Sequence, residues 1–273
     1  MKIKDLETKA RWVRRLVLES TASTRKGHIG GTYSCTDILV SMYYAGILQV
    51  DPKEPKWADR DRLLIGKGHA CLALYAIFMD LGFISEECFA GYGKDGGTLG
   101  GQLDIGIPGV EYNTGSLGHV LGIAAGMALA AKLDSKNYRA YALMGDAEIY
   151  EGSVWEALIF AGQHQLDKLV GIIDRNRLSV TEILEDDSLF RQLRTKVTAF
   201  GWDCYEIDGH SFTQILDVFD AVKRAQRPSM IIANTVKGKG VSFMENGVKW
   251  HHSIPSDAEL AIARKELTTD ECP

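Results

Sequence analysis

Apolar residues recur at helical spacing from the start of the chain. Leu6, Ala10, Val13 and Val17 form one stripe, and Arg11, Arg14 and Arg15 occupy the other face. The pattern predicts an amphipathic opening helix that ends near the glycines of KGHIGG. Beyond it, short apolar or β-branched runs alternate with longer helical patterns. The runs predict strands over Arg62–Gly66, Arg139–Met144, Lys168–Asp174, Trp202–Ile207 and Ser229–Thr235. Helices are predicted over Ser34–Gly46, His69–Leu81, Leu117–Lys132, Ser153–His164, Ser188–Phe200 and Ser211–Ala225. Strands that read as continuous apolar runs are buried on both faces, and helices between them imply a parallel sheet. The expectation is an α/β fold with a doubly wound parallel sheet, whose functional groups gather at the carboxyl ends of the strands. The stretch Phe83–Asn113, containing GKDGGTLGGQLDIGIPG, is too glycine-rich for a buried element and is read as a long functional loop.

Composition narrows the class. No Pro/Ser linker, repeat or low-complexity block divides the 273 residues, so one domain spanning residues 1–273 is expected. Lys plus Arg total 31 against 36 Asp plus Glu, a net charge of −5, which argues against a nucleic-acid partner. The five cysteines (Cys35, Cys71, Cys88, Cys204 and Cys272) are odd in number and scattered, with no C-x-x-C. That pattern and the charged, run-free N-terminus predict a cytoplasmic protein with no membrane span.

The segment LMGDAEIYEGSVWEAL, followed by KLVGIIDRNRLSV, carries the most chemistry. Asp146 falls just after one predicted strand and Asn176 just after the next, a separation equal to one helix plus one strand. Neighbouring parallel strands would deliver both oxygens to the same sheet edge, a hard-oxygen pair suited to Mg²⁺. Taken singly, a helix cap for Asp146 and a turn for Asn176 are the simpler readings.

Together they resemble the signature of thiamine-diphosphate enzymes, G-D-x-x-x-x-E-G followed about 30 residues later by Asn. By that resemblance Asp146, Asn176 and the backbone carbonyl of Leu178 would hold Mg²⁺ against the diphosphate, with Gly145 and Ala147 beside the cofactor. Ala147 stands where the motif usually has Gly. KGHIGG, GKGHA, EYNTGSLGHVLGIAAGMALA, IDGH and KGKGVSFMENGVKWHH then narrow the likeness to transketolases, and within them to the N-terminal subunit of transketolases split into two chains. The likeness runs from about residue 5 to residue 255.

The resemblance implies roles. His28 would contact sugar oxygens, and His69 and His251 would lie near the diphosphate and the reacting carbon. Gly115 and Leu117 would offer backbone groups to the aminopyrimidine. Glu151 would join a carboxylate network near a two-fold axis. A structural role stays open for each histidine, and His119, His164 and His252 are assigned one. Gln102 stands where most transketolases have a histidine that bonds the hydroxymethyl ketone end of the donor; Gln can donate and accept but cannot become cationic. The expected donor or acceptor is therefore not the usual pentose phosphate pair, and a specialised ketose such as apulose 4-phosphate or a sulfonated fructose fits.

The glutamate that protonates N1′ of thiamine lies, in this family, on a separate pyrimidine-binding domain. The chain is expected to be inactive alone and to need a second subunit, with two copies of each chain in the assembly, acting on sugar phosphates or related anionic sugars. Two alternatives stay open: a related thiamine-diphosphate subunit of 2-oxo acid or deoxyxylulose phosphate type, and a non-catalytic interaction subunit. Zinc-protease and P-loop motifs do not occur.

Overall fold

The computed structural model describes residues 1–179 and 190–268. Cys272 and the acidic run Glu185–Asp187 lie outside the described residues.

The opening stripe folds as expected. Helix α1 (Ile3–Thr24) buries Leu6, Ala10, Val13 and Val17 completely or nearly so. It stops at Arg25, which takes the left-handed conformation and returns its N–H to the Thr21 carbonyl. Helix α2 (Ile29–Tyr44) begins five residues before the predicted start and draws Gly30 and Gly31 into its first turn. Gly30 is there for space: a Cβ on it would lie 2.8 Å from the Trp250 carbonyl oxygen.

Strands β1 (Arg62–Ile65), β2 (Ala140–Gly145), β3 (Leu169–Arg175), β4 (Asp203–Asp208) and β5 (Ser229–Asn234) match the five predicted runs within two residues at either end. They form one all-parallel sheet in the order β1-β2-β3-β5-β4. The three inner strands are buried almost throughout. Edge strand β4 alternates, as an edge half in water must.

Alternate strand residues feed two cores. Leu63, Tyr141, Val170, Ile172 and Ile231 pack beneath α1, α2, α3 (Cys71–Leu81) and, after a short α4 (Glu86–Ala90) within the glycine-rich loop, α8 (Phe212–Lys223). Leu64, Ala142, Met144, Ile173 and Ile232 pack beneath α5 (Val120–Leu133), α6 (Gly152–Gln163) and α7 (Leu193–Ala199). Both faces are covered, so the sheet is doubly wound. The predicted helix over Ser188–Phe200 contracts to α7, with its first two positions outside the described residues. Helix α9 (Asp257–Glu266) went unpredicted, although Ser256 and Glu259 form a reciprocal capping box at its start.

Among the described residues, no helix is long and apolar enough to cross a membrane, and the four cysteines are free thiols.

Candidate active site

A crevice opens where β1, β2, β3 and β5 end. Each strand hands over to a tight segment rather than a long helix, so several backbones converge. After β2, Asp146 caps a 3₁₀ turn (Ala147–Tyr150) through the Ala147 N–H at 2.8 Å, and its second oxygen accepts the Arg177 N–H at 2.5 Å. After β3, the Asn176 side-chain oxygen accepts the Leu178 N–H at 3.1 Å, which requires the left-handed Arg177 between them. Capping and turn formation are thus both present, and both residues also line one cavity of about 180 Å³.

The same cavity is bounded by Leu178, Gly145, Ala147, His69, His251, Gly115 and Leu117, which includes every position assigned to cofactor or metal from sequence. Gly115 has φ +127, a conformation that favours glycine. Ala147 does not have positive φ, so the Ala-for-Gly departure carries no backbone strain.

The remaining predicted positions stand apart from this cavity. His28 lies on its rim, 5.0 Å from the His69 ring centroid and 5.4 Å from that of His251. Gln102 is exposed beside Gly68 and Gly115, its backbone carbonyl fixed by the Tyr75 hydroxyl at 2.9 Å. Glu151 is exposed at the start of α6 and does not line the cavity.

Sequence reasoning assigned no role to three further charges that line the cavity, Glu148, Lys67 and Lys237, or to the buried Asp174 behind them. Glu148, three residues before Glu151 in the same motif, is a second carboxylate at the cavity beside Asp146, buried and bonded by the N–H groups of Gly118 at 2.9 Å and Gly145 at 3.2 Å. Burial pushes it up to about 7. Lys67 and Lys237 also line the cavity. Lys67 is fully enclosed and ion-pairs with Asp174, which also binds the hydroxyls of Ser34, at 2.6 Å, and Thr235. Burial opposes charging of Lys67, but the Asp174 carboxylate overrides it and raises its pKa. A carboxylate ending an otherwise apolar strand was the available signal for Asp174.

The donor chemistry fits a hard cation. Asp146 is buried, and burial together with the neighbouring Asp174 charge pushes it up to about 6, a carboxylate that an added cation would relieve. Asn176 supplies an amide oxygen and Leu178 a carbonyl, the oxygen set Mg²⁺ prefers. Lys237 Nζ already points at that carbonyl from 3.3 Å and at the Ser179 carbonyl from 3.0 Å, and burial with Lys67 nearby lowers its pKa to about 8. His28 and His251 are held down to about 4 chiefly by burial, and His69 further still. At neutral pH these imidazoles are uncharged donors or acceptors.

His210, from the IDGH motif, lies elsewhere. Its Nε2 accepts the Val236 N–H at 2.8 Å, so Nδ1 carries the proton and donates to Asp37 at 2.6 Å. Asp37 in turn takes both arms of Arg14 at 2.8 Å, tying α1, α2 and the segment after β4 together.

Fold and crevice define an α/β domain of the doubly wound class, which takes its ligand at the carboxyl ends of its strands. Residues 6–272 match the family described as transketolase, thiamine diphosphate binding domain, and the chain belongs to that family. It is 40% identical over 269 residues to one of the subunits of an apulose-4-phosphate transketolase from Phocaeicola vulgatus, covering 98% of this chain and 95% of that protein. It is 37% identical to a 6-deoxy-6-sulfo-D-fructose transketolase subunit of Clostridium sp., covering 96% of each. The transketolase structure from Campylobacter jejuni superposes with a TM-score of 0.92 at 29% identity, covering 98% of this chain but 43% of that one.

Proposed function

We propose that this chain is the diphosphate-binding subunit of a thiamine-diphosphate-dependent transketolase, forming one domain over residues 1–273. The observation that carries the reading is the convergence of Asp146, Asn176, the Leu178 carbonyl, His69 and His251 on one cavity at the sheet's carboxyl edge. Asp146, Asn176 and the Leu178 carbonyl would hold Mg²⁺, and Lys237 would add positive charge toward the diphosphate, the Lys67 ammonium being paired with Asp174. When bound, the cofactor supplies the carbanion chemistry that breaks and remakes a carbon–carbon bond, moving a two-carbon ketol unit from a ketose to an aldose.

The chain's own residues position and stabilise. Neutral His69 and His251 donate hydrogen bonds where negative charge develops on substrate oxygen. His28 and Gln102 meet the sugar from the rim. Glu148 fixes the Gly118 and Gly145 backbones, and with them the turn carrying Asp146.

A second subunit completes the site. The cavity of about 180 Å³ falls below the roughly 300–1,000 Å³ of sites that enclose a drug-sized ligand. The adjoining helices α5 and α6 leave Leu133, Ile159 and Phe160 exposed, apolar surface suited to a partner carrying the pyrimidine-binding domain and the N1′ glutamate. Glu151, exposed at the start of α6, would meet the partner there. Two copies of each chain make the working assembly. The subunits named for apulose 4-phosphate and for a sulfonated fructose support a specialised anionic ketose as donor.

The test is ketol transfer by the purified chain with and without such a partner, each with Mg²⁺ and thiamine diphosphate. Activity is expected only in the pair. Full transfer by this chain alone would overturn the split-site reading, and Mg²⁺-independent or absent cofactor binding by the pair would overturn the catalytic one.

A further inference from the structure

His252 has no place in the proposed chemistry, yet it stands in a cluster of imidazoles. Its ring centroid is 4.0 Å from that of His28 and 5.2 Å from that of His251. His28 Nε2 and His252 Nε2 are 3.0 Å apart. One ring nitrogen from each of His28, His251 and His252 falls within 4.8 Å of the others.

Two uncharged imidazoles can share such a contact only if one presents an N–H and the other a lone pair. His251 Nδ1 faces the Lys237 ammonium at 3.1 Å and accepts from it, so the lone pair of this neutral ring is at Nδ1 and Nε2 carries the N–H. Zn²⁺ binds imidazole nitrogen at about 2.0–2.1 Å in tetrahedral geometry, so two of its ligands stand about 3.4 Å apart. The His28–His252 pair is within a few tenths of an ångström of that spacing. His252 is exposed, and His28 and His251 are partly so, which leaves the rings free to turn inward.

We propose that His28, His251 and His252 form a binding site for a borderline divalent cation, Zn²⁺, on the rim of the crevice and separate from the oxygen-lined corner at Asp146. Donor type keeps the two sites apart. Imidazole nitrogen selects zinc, whereas Mg²⁺ prefers carboxylate, carbonyl and water oxygen. On binding, the proton shared by the His28–His252 pair moves to Nδ1 of its own ring, and the His251 ring turns its Nδ1 lone pair from Lys237 to the metal while Lys237 keeps the Leu178 and Ser179 carbonyls, so three lone pairs face the metal with no net change in protonation. Three ligands leave the fourth position open to water or to a sugar hydroxyl. Because two of the three histidines face the sugar in the proposed reaction, bound zinc blocks the donor site and inhibits. That consequence alone rests on the transketolase reading.

The experiment uses the full chain in excess Mg²⁺, with Co²⁺ as a visible probe and Zn²⁺ as competitor. About one equivalent of Co²⁺ is expected to give the intense d–d absorption of a four- or five-coordinate ion, which Zn²⁺ displaces. His252→Ala should abolish the band and weaken Zn²⁺ roughly a hundredfold, the upper end of what loss of even an outer partner costs. Its metal-free melting should match the parent, because the side chain is exposed. Asp146→Ala should leave the band intact. An unchanged band in His252→Ala, or its loss in Asp146→Ala, overturns the proposal. The readout needs neither sugar nor partner, so failure of the transketolase reading leaves it standing, and an active pair without zinc binding sinks this inference alone.

Discussion

The Glu148 carboxylate fills the space beside Gly66 that any Cβ there would need, and the Gly118 and Gly145 N–H groups hold it in place. Gly66 is therefore required for room, since no left-handed φ applies to it. Gly66→Ala must displace a buried carboxylate from its donors, and unpaired buried polar groups cost about 1–3 kcal/mol each. The expected loss is roughly 3 kcal/mol, read as a Tm drop of about 6–12 °C. In a Glu148→Ala background the same substitution should cost much less, because the clash is gone. Equal losses in both backgrounds would show that Glu148 is not what position 66 accommodates.

The oxygen corner makes a metal-specific prediction. With the partner present, thiamine diphosphate at a hundred times its Kd stabilises by about 2.7 kcal/mol, a Tm rise of roughly 5–10 °C. Asp146→Ala should remove that rise, Asn176→Ala should reduce it, and chelating Mg²⁺ from the parent should mimic the Asp146 variant. A rise that survives both chelation and Asp146→Ala would place the metal elsewhere.

Much of this was legible because burial writes itself into strand composition. Continuous apolar runs located all five strands, and the Asp146–Asn176 spacing placed two oxygens on one edge of the sheet. What escaped depends on contacts between segments remote in sequence. Gly30 at the start of α2 looks like a helix stop until Trp250 is seen packed against it. Lys67 reads as a surface lysine because its partner, Asp174, lies 107 residues away. Glu148 and Glu151 occupy equally plausible positions in one motif, and only the path of the 3₁₀ turn decides that Glu148 points inward. His252 looked structural beside His251; its neighbour across the crevice is His28, 224 residues distant.

Acid should separate the histidines from the carboxylates. His28 and His251 fall from 6.5 to about 4, chiefly through burial. Between those values the unfolded chain takes up protons that the native chain refuses, so their contribution is intact above 6.5 and lost as pH falls toward 4. Asp146 and Glu148, raised to about 6 and about 7, act in the opposite direction over an overlapping window. The prediction is therefore a difference: the stability of a His28→Asn/His251→Asn variant, relative to the parent, should rise as pH is lowered through this range. A pH-independent difference in Tm would contradict it.

Gln102 carries the specificity prediction. Its side chain stands beside Gly68 and Gly115 while Tyr75 anchors its backbone carbonyl at 2.9 Å, so a new side chain can be introduced without moving the loop. An imidazole there can become cationic and can bond the ketone end of an ordinary donor, which the amide does only as a neutral group. In the active pair, Gln102→His should raise kcat/KM for xylulose 5-phosphate roughly tenfold, about 1.4 kcal/mol of transition-state stabilisation. It should lower kcat/KM for whichever specialised ketose the parent prefers, because the amide that suits that donor is gone. No gain on xylulose 5-phosphate, with the variant folded and binding cofactor normally, would remove Gln102 as the determinant of donor choice and leave specificity to the partner's surface.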